Sequence, residues 1–173
     1  MHSIMLNMAV LTVSDTRTLA NDQSGAYLIS ALTQAGHRLA GRALLPDCRF
    51  RVRAQVALWI AAAEVDVVLI TGGTGLAPRD RTIEAVMPLM ESTIDGFGEL
   101  FRSLSYAEIG TATINSRAAA GLSNGTLVFC LPGSSGACRT AWEGILREQL
   151  NPAHRPCNLA EILLRARRQE PLP

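Results

Sequence analysis

The sequence predicts an α/β fold of βαβ units on a mostly parallel sheet, and three observations predict it. Short runs rich in branched apolar residues recur at Met8 to Val13, Val65 to Thr71 and Thr126 to Leu131; segments of helical length separate them; and each run stops at a polar or glycine-containing turn. Apolar runs this short and this sharply bounded suit strands buried in a sheet. Parallel neighbours need a long crossover between them, and the intervening helical segments supply it.

Arg38 to Leu45, closed by Pro46, reads as a fourth strand. The helical segments are Gly25 to Ala35 (stopped by Gly36), Arg51 to Ala63, Thr82 to Met90, Phe97 to Ala107 and Ser134 to Leu150. After Asn151, Pro152 and Pro156 make a turn, and Asn158 caps a last helix running to Arg168. Arg165, Arg167 and Arg168 near its end complement the helix dipole, as a solvated helix end requires.

The 173 residues, 48% hydrophobic, fit one compact domain spanning residues 1–173, with no internal repeat and no linker. A chain of this size buries roughly 70% of its extended surface, so neither metal nor disulfide is needed for folding. No apolar stretch approaches the roughly 20 residues that span a bilayer, and Met1 to Met8 carries no basic leader. Cys48, Cys130, Cys138 and Cys157 show no paired metal-ligand spacing, which points to reduced thiols and a cytoplasmic location. A net charge of +1 argues against a nucleic-acid binder. All sixteen basic residues are arginine, which excludes a Walker phosphate loop, a Schiff base and a Ser-Lys dyad. Any anion clamp must use guanidinium, backbone amides or a metal ion.

Parallel sheets bind ligands beyond the carboxyl ends of their strands. Three of the strand ends are polar: Ser14-Asp15, then Thr71-Gly72-Gly73-Thr74-Gly75, then Pro132-Gly133-Ser134-Ser135-Gly136. The glycine turn offers amide donors and threonine hydroxyls to an anion such as phosphate. Downstream, Asp80 either joins such a site as a magnesium ligand or, like Thr82, caps the next helix. Asp47 after Pro46 is a turn residue or a second acidic contact. Ser134 and Ser135 read equally as a helix cap and as ligand contacts, and Arg117 after Ser116 as a surface ion pair. His2, His37 and His154 sit in no catalytic setting, and the three-glycine dinucleotide fingerprint is absent.

The ordered set Thr71 to Gly75 with Asp80, Ser116-Arg117-Ala118 with Ala120-Gly121, and Leu131-Pro132-Gly133-Ser134 resembles the MoaB/Mog family of molybdenum-cofactor biosynthesis proteins. The resemblance runs from Leu11-Thr12-Val13-Ser14 to Cys157-Asn158. Arg53-Ala54-Gln55-Val56, Gly96-Phe97-Gly98-Glu99 and Ala137-Cys138-Arg139-Thr140-Ala141-Trp142 look like the MoaB branch.

It implies a three-layer α/β/α sandwich with a mostly parallel central sheet, assembled as trimers or hexamers. It also implies a molybdopterin ligand, work alongside other molybdenum-cofactor pathway proteins, and, in Mog-type members, adenylylation of the pterin with Mg²⁺-ATP. On that resemblance Asp47 and Asp80 hold Mg²⁺ and are essential to the chemistry. The turn Thr71, Gly72, Gly73, Thr74, Gly75 supplies donors, and Ser116, Arg117, Pro132, Gly133, Ser134 and Ser135 seat the pterin. Arg79, Arg81 or Arg117 must then provide any side-chain cation. Two stretches depart from the Mog pattern: Asp80-Arg81-Thr82-Ile83 replaces Asp-Val-Thr-Pro, and Ser134-Ser135-Gly136 follows Pro-Gly where Mog members carry a proline. Adenylyltransferase, non-catalytic pterin carrier and homo-oligomer with a vestigial pocket are the three readings left open. Apolar residues between Phe97 and Leu104 are expected to serve oligomerisation.

Overall fold

The computed structural model describes residues 4–169, with side chains through residue 165. Along the chain it runs β1 (Asn7–Val13), α1 (Gln23–Gln34), β2 (Arg38–Leu45), α2 (Arg49–Ala61), β3 (Val67–Thr71), α3 (Thr82–Val86) and β4 (Ser92–Thr93). It continues through α4 (Asp95–Ile109), β5 (Ala119–Ser123), β6 (Thr126–Leu131), α5 (Ser135–Ala141), α6 (Arg147–Gln149) and α7 (Leu159–Gln169). The strands form one sheet in the order β2-β1-β3-β6-β5-β4.

The four strands legible in the sequence are the parallel ones, at β2-β1-β3-β6. Their register sets Thr12 beside Thr71 and Thr71 beside Leu131, so the polar turns after β1, β3 and β6 converge on one crest. The sequence reading missed β4 and β5, which add an antiparallel edge. Ala119-Ala120-Gly121 is poor in β-favouring side chains, but its smallness is required: a Cβ on Gly121 would lie 2.5 Å from Met90 Sδ. The overlooked signal is Asn124-Gly125, with φ of 47° and 69°, a two-residue turn that joins β5 to β6 as a hairpin.

Strand alternation divides the interior in two. Met8, Val10, Val67, Leu69, Leu127, Phe129 and Leu131 face one core layer, filled by Leu28 and Leu32 of α1, Phe97 and Phe101 of α4, and Trp142. Ala9, Leu11, Val13, Val68, Ile70, Val128 and Cys130 face the other, filled by Val52, Val56 and Ile60 of α2 with Ala85 and Val86 of α3. The result is the three-layer sandwich. Phe97 and Phe101 are buried inside the chain, which corrects their assignment to an oligomer surface; Leu100 stays exposed at 47%.

Helix ends follow local chemistry. Asp22 caps α1 through the Gly25 amide, Ser134 caps α5 through Ala137, and Asn158 accepts from Glu161 at the start of α7. Pro88 lies in the 3₁₀ turn Met87–Leu89 that ends the α3 segment, and the helix after Ser134 passes through a π turn, Trp142–Leu146. Arg165 pairs with Glu161 at 2.7 Å, while Arg167 and Arg168 lie outside the described side chains. Among the described residues no helix is long and apolar enough to cross a membrane.

Candidate functional site

The glycine turn after β3 is built from contacts that forbid side chains. Gly72 has φ of 100°, and a Cβ there would overlap the Val13 carbonyl oxygen. Gly73, at φ 64°, would place a Cβ against Thr82 Oγ1 and 2.5 Å from Asp47 Oδ2, and one on Gly75 would lie 2.5 Å from Asp80 Oδ2. Both carboxylates therefore press against this turn from the loops after β2 and β3. The Gly72 amide is used on the Leu131 carbonyl (3.1 Å), whereas those of Gly73, Thr74 and Gly75 meet no protein acceptor among the described residues.

Asp80 does not cap α3, and neither does Thr82: the N-cap is Arg81, with no side-chain bond. Asp80 Oδ2 instead accepts from the Ala77 amide at 3.1 Å, folding the loop before α3. Thr82 is buried, its hydroxyl donating to the Gly72 carbonyl (2.8 Å) and its amide to that of Gly73 (2.9 Å), so α3 is fastened to the turn. Asp47 accepts from the Arg81 amide at 3.2 Å and gives its own amide to Asp15, which also pairs with Arg79 at 3.1 Å. Burial pushes the Asp47 carboxyl up, and the charges of Asp80 and Asp15 push the same way against the Arg81 hydrogen bond and Arg79.

Thr71 corrects the reading of its hydroxyl as an anion contact. It is fully buried and donates to the Pro132 carbonyl at 2.9 Å, bracing the glycine turn to the turn after β6. The two turns nearly touch: a Cβ on Gly133 would lie 3.2 Å from the Gly72 Cα. Ser134 is the α5 cap and Ser135 opens the helix, both at the crest. Beneath them Cys138 lies 3.2 Å from Thr71 Oγ1, and burial pushes its thiol up to about 11; Cys130, inside β6, is pushed up to about 12.

Because β5 runs antiparallel to β6, with Ala119 opposite Cys130, Ser116 and Arg117 reach the same crest. Arg117 pairs with Glu84 of α3 at 2.7 Å, an ion pair as the sequence suggests, but only 27% exposed. Burial raises the Glu84 carboxyl, yet the Arg117 hydrogen bond, a hydrogen bond from its own backbone amide and the charges of Arg117 and Arg81 together hold the group below the usual carboxylate range. Arg53 of α2 supports this pair by donating to the Glu84 and Ala85 carbonyls at 2.8 and 2.9 Å.

Sequence reasoning missed three residues. Asp22 is buried and accepts from Thr12 Oγ1 (2.7 Å) and the Gly25 amide (2.9 Å); Ser24 donates to the Gly133 carbonyl (2.8 Å); and Arg17 donates to Ser24 (3.1 Å). The available signal was Asp22 three residues ahead of Gly25, the spacing of a helix cap.

Comparison with known proteins identifies the family. The family described as "Probable molybdopterin binding domain" matches residues 9–152. Molybdenum cofactor biosynthesis protein B of Escherichia coli K12 is 51% identical over 155 residues, covering 90% of this chain and 91% of the relative. The protein of that name from Bacillus subtilis is 46% identical over 142 residues, covering 82% and 84%. A crystal structure of Molybdenum cofactor biosynthesis protein B superposes with a TM-score of 0.88 at 38% identity, covering 98% of this chain and 100% of the other. The tungsten cofactor synthesizing protein MoaB of Pyrococcus furiosus superposes with 0.77 at 35% identity, covering 94% and 98%. The chain belongs to the MoaB branch of the molybdopterin-binding, molybdenum-cofactor biosynthesis family.

Proposed function

We propose that this chain, as one binding domain over residues 1–173, takes molybdopterin into the crest crevice and adenylylates it with Mg²⁺-ATP in molybdenum-cofactor biosynthesis. The observation that carries the reading is the convergence of Asp47 and Asp80 on a turn whose Gly73 and Gly75 leave room only for their carboxylates. Two carboxylates with phosphate oxygens and water match what Mg²⁺ prefers, so the donor set fits that ion. When bound, the ion neutralises phosphate charge.

The remaining work falls to this chain's residues. The reaction is phosphoryl transfer: a pterin phosphate oxygen attacks the α-phosphorus of ATP, and the bond to the bridging oxygen breaks to release pyrophosphate. Catalysis of that kind is mainly positioning and charge stabilisation. Gly73 to Gly75 donate amides toward the phosphates, and Arg117, fixed by Glu84, borders the crevice with Ser116. Pro132, Gly133, Ser134 and Ser135 form the facing wall, and Thr71 holds the walls together.

The test is product formation by purified protein from molybdopterin and Mg²⁺-ATP, beside Asp80→Asn. Adenylylated pterin from the wild type alone supports the reading; pterin binding without turnover replaces it by the carrier reading, which the altered Asp80-Arg81-Thr82-Ile83 stretch favours. We place the protein in the cytoplasm as a homo-oligomer, trimer or hexamer. A monomer in sedimentation at micromolar concentration would overturn that assembly.

A further inference from the structure

Of the arginines that the sequence offers the crevice, two are engaged, Arg79 with Asp15 at 3.1 Å and Arg117 with Glu84 at 2.7 Å. Arg17, between β1 and α1, is held differently. Its Nη1 reaches Ser24 Oγ at 3.1 Å and Asp22 Oδ1 at 3.9 Å, and its side chain is 33% exposed while that of Asp22 is 0% exposed. A guanidinium carries five N–H donors, and among the described residues those of Arg17 other than on Nη1 meet no protein acceptor, while its backbone amide donates to Ser14 Oγ at 3.1 Å.

Asp22 also receives Arg42 at 3.4 Å, so two arginines share one buried carboxylate and leave a surplus positive charge. The opposite wall sets Asp15, Asp47 and Asp80 against Arg79 and repels an uncompensated anion. Ser24 carries the link to the Gly133 carbonyl at 2.8 Å, and Cys138 beneath that turn lies 3.2 Å from Thr71 Oγ1. Arg17 is thus tied through Ser24 to the Gly133 turn, where that turn meets Gly72.

We propose that Arg17 is a phosphate-binding residue of the crevice, taking a phosphate monoester on its outward N–H groups, and that buried Asp22 is the residue that positions it, with Ser24 as the tie to the Gly133 turn. This deepens the proposed function and rests on its reading of the crevice as a phosphate-ligand site. Asp22 is fixed by the Thr12 hydroxyl and the Gly25 amide, so it presents Arg17 already oriented. A preorganised guanidinium loses less freedom on binding than a mobile lysine would.

The experiment titrates wild type, Arg17→Gln, Arg17→Lys, Asp22→Asn and the distant Arg165→Gln with inorganic phosphate, read by ³¹P line broadening. The same set is titrated with molybdopterin and with Mg²⁺-ATP at two salt concentrations. Arg17→Gln should abolish the broadening, weaken molybdopterin about tenfold and flatten its salt dependence, as loss of a charge-assisted bidentate contact requires. Arg17→Lys should recover part of the affinity, Asp22→Asn should weaken phosphate about threefold with a cooperative melt retained, and Arg165→Gln should match wild type. A tenfold loss confined to ATP assigns the nucleotide phosphate to Arg17 instead. Unchanged phosphate broadening in Arg17→Gln overturns the proposal even if the wild type binds molybdopterin. Phosphate binding that depends on Arg17 without any molybdopterin binding sustains it and overturns the ligand reading.

Discussion

The two sides of the candidate site stand over opposite faces of one sheet, and they differ in nearly every physical respect. Asp47 and Asp80 precede α2 and α3, above the layer of Val52, Val56 and Val86; Asp22, Ser24 and Ser134 precede or enter α1 and α5, above the layer of Leu28, Phe129 and Trp142. The first wall gathers carboxylates from two partly exposed loops tied by backbone amides. The second hides its one carboxylate and shows guanidinium and hydroxyl groups. On the proposed function, such asymmetry would suit a ligand whose one phosphate has its charge offset by Mg²⁺ held at Asp47 and Asp80 and whose other phosphate is bare. Only the glycine turn, with Thr71 and Gly133, belongs to both.

The largest test of that contrast is Asp80→Asn. On the adenylylation reading it should lower turnover by about a thousandfold, roughly 4 kcal/mol of transition-state stabilisation, with pterin affinity kept within about threefold. Equal losses in affinity and turnover, measured by equilibrium dialysis beside single-turnover kinetics, would mean that the walls are not separable. Gly72→Ala strikes the shared joint: a methyl against the Val13 carbonyl at φ 100° should cost about 3 kcal/mol in a denaturant titration and impair both walls together. Activity at one wall with loss at the other would refute the joint.

Glu84→Gln should be milder, loosening Arg117 and raising the pterin dissociation constant about fivefold, near 1 kcal/mol. Asp47→Asn should have the smallest effect on folding, with the opposite sign. Its carboxyl is raised, so whatever stability it lends is complete below the ordinary carboxylate range and is lost as pH rises through the elevated native value. Near neutral pH the amide should therefore raise the melting temperature by about a degree while turnover falls. A melting point that drops on this substitution would show Asp47 to be a structural support rather than a strained functional acid.

The strand-end carboxylates and the Gly133 turn were legible in the sequence, and the Arg17, Asp22 and Ser24 group was not. Asp47 and Asp80 adjoin prolines and glycines, whose punctuation announces loops, and the motif order carried the rest. Asp22 and Arg17 sit in an undistinguished polar stretch, and only burial under Thr12 and contact with Gly133 reveals them. The same division holds for the fold. Central strands were visible because burial on both faces leaves a continuous apolar run, whereas β5 depends on packing at Met90 and Phe129 that its alanines conceal. Phe101 looked surface-bound because a helix face shows which residues are apolar and not which partner covers them.

The alternation of the central strands has an evolutionary corollary. Val68 and Leu69 are adjacent in the chain yet answer to different interiors. A lineage can therefore repack the Leu28 and Trp142 side without moving the carboxylates anchored over Val52 and Val56. The sheet keeps the two interiors apart, so a substitution in one leaves the packing of the other intact.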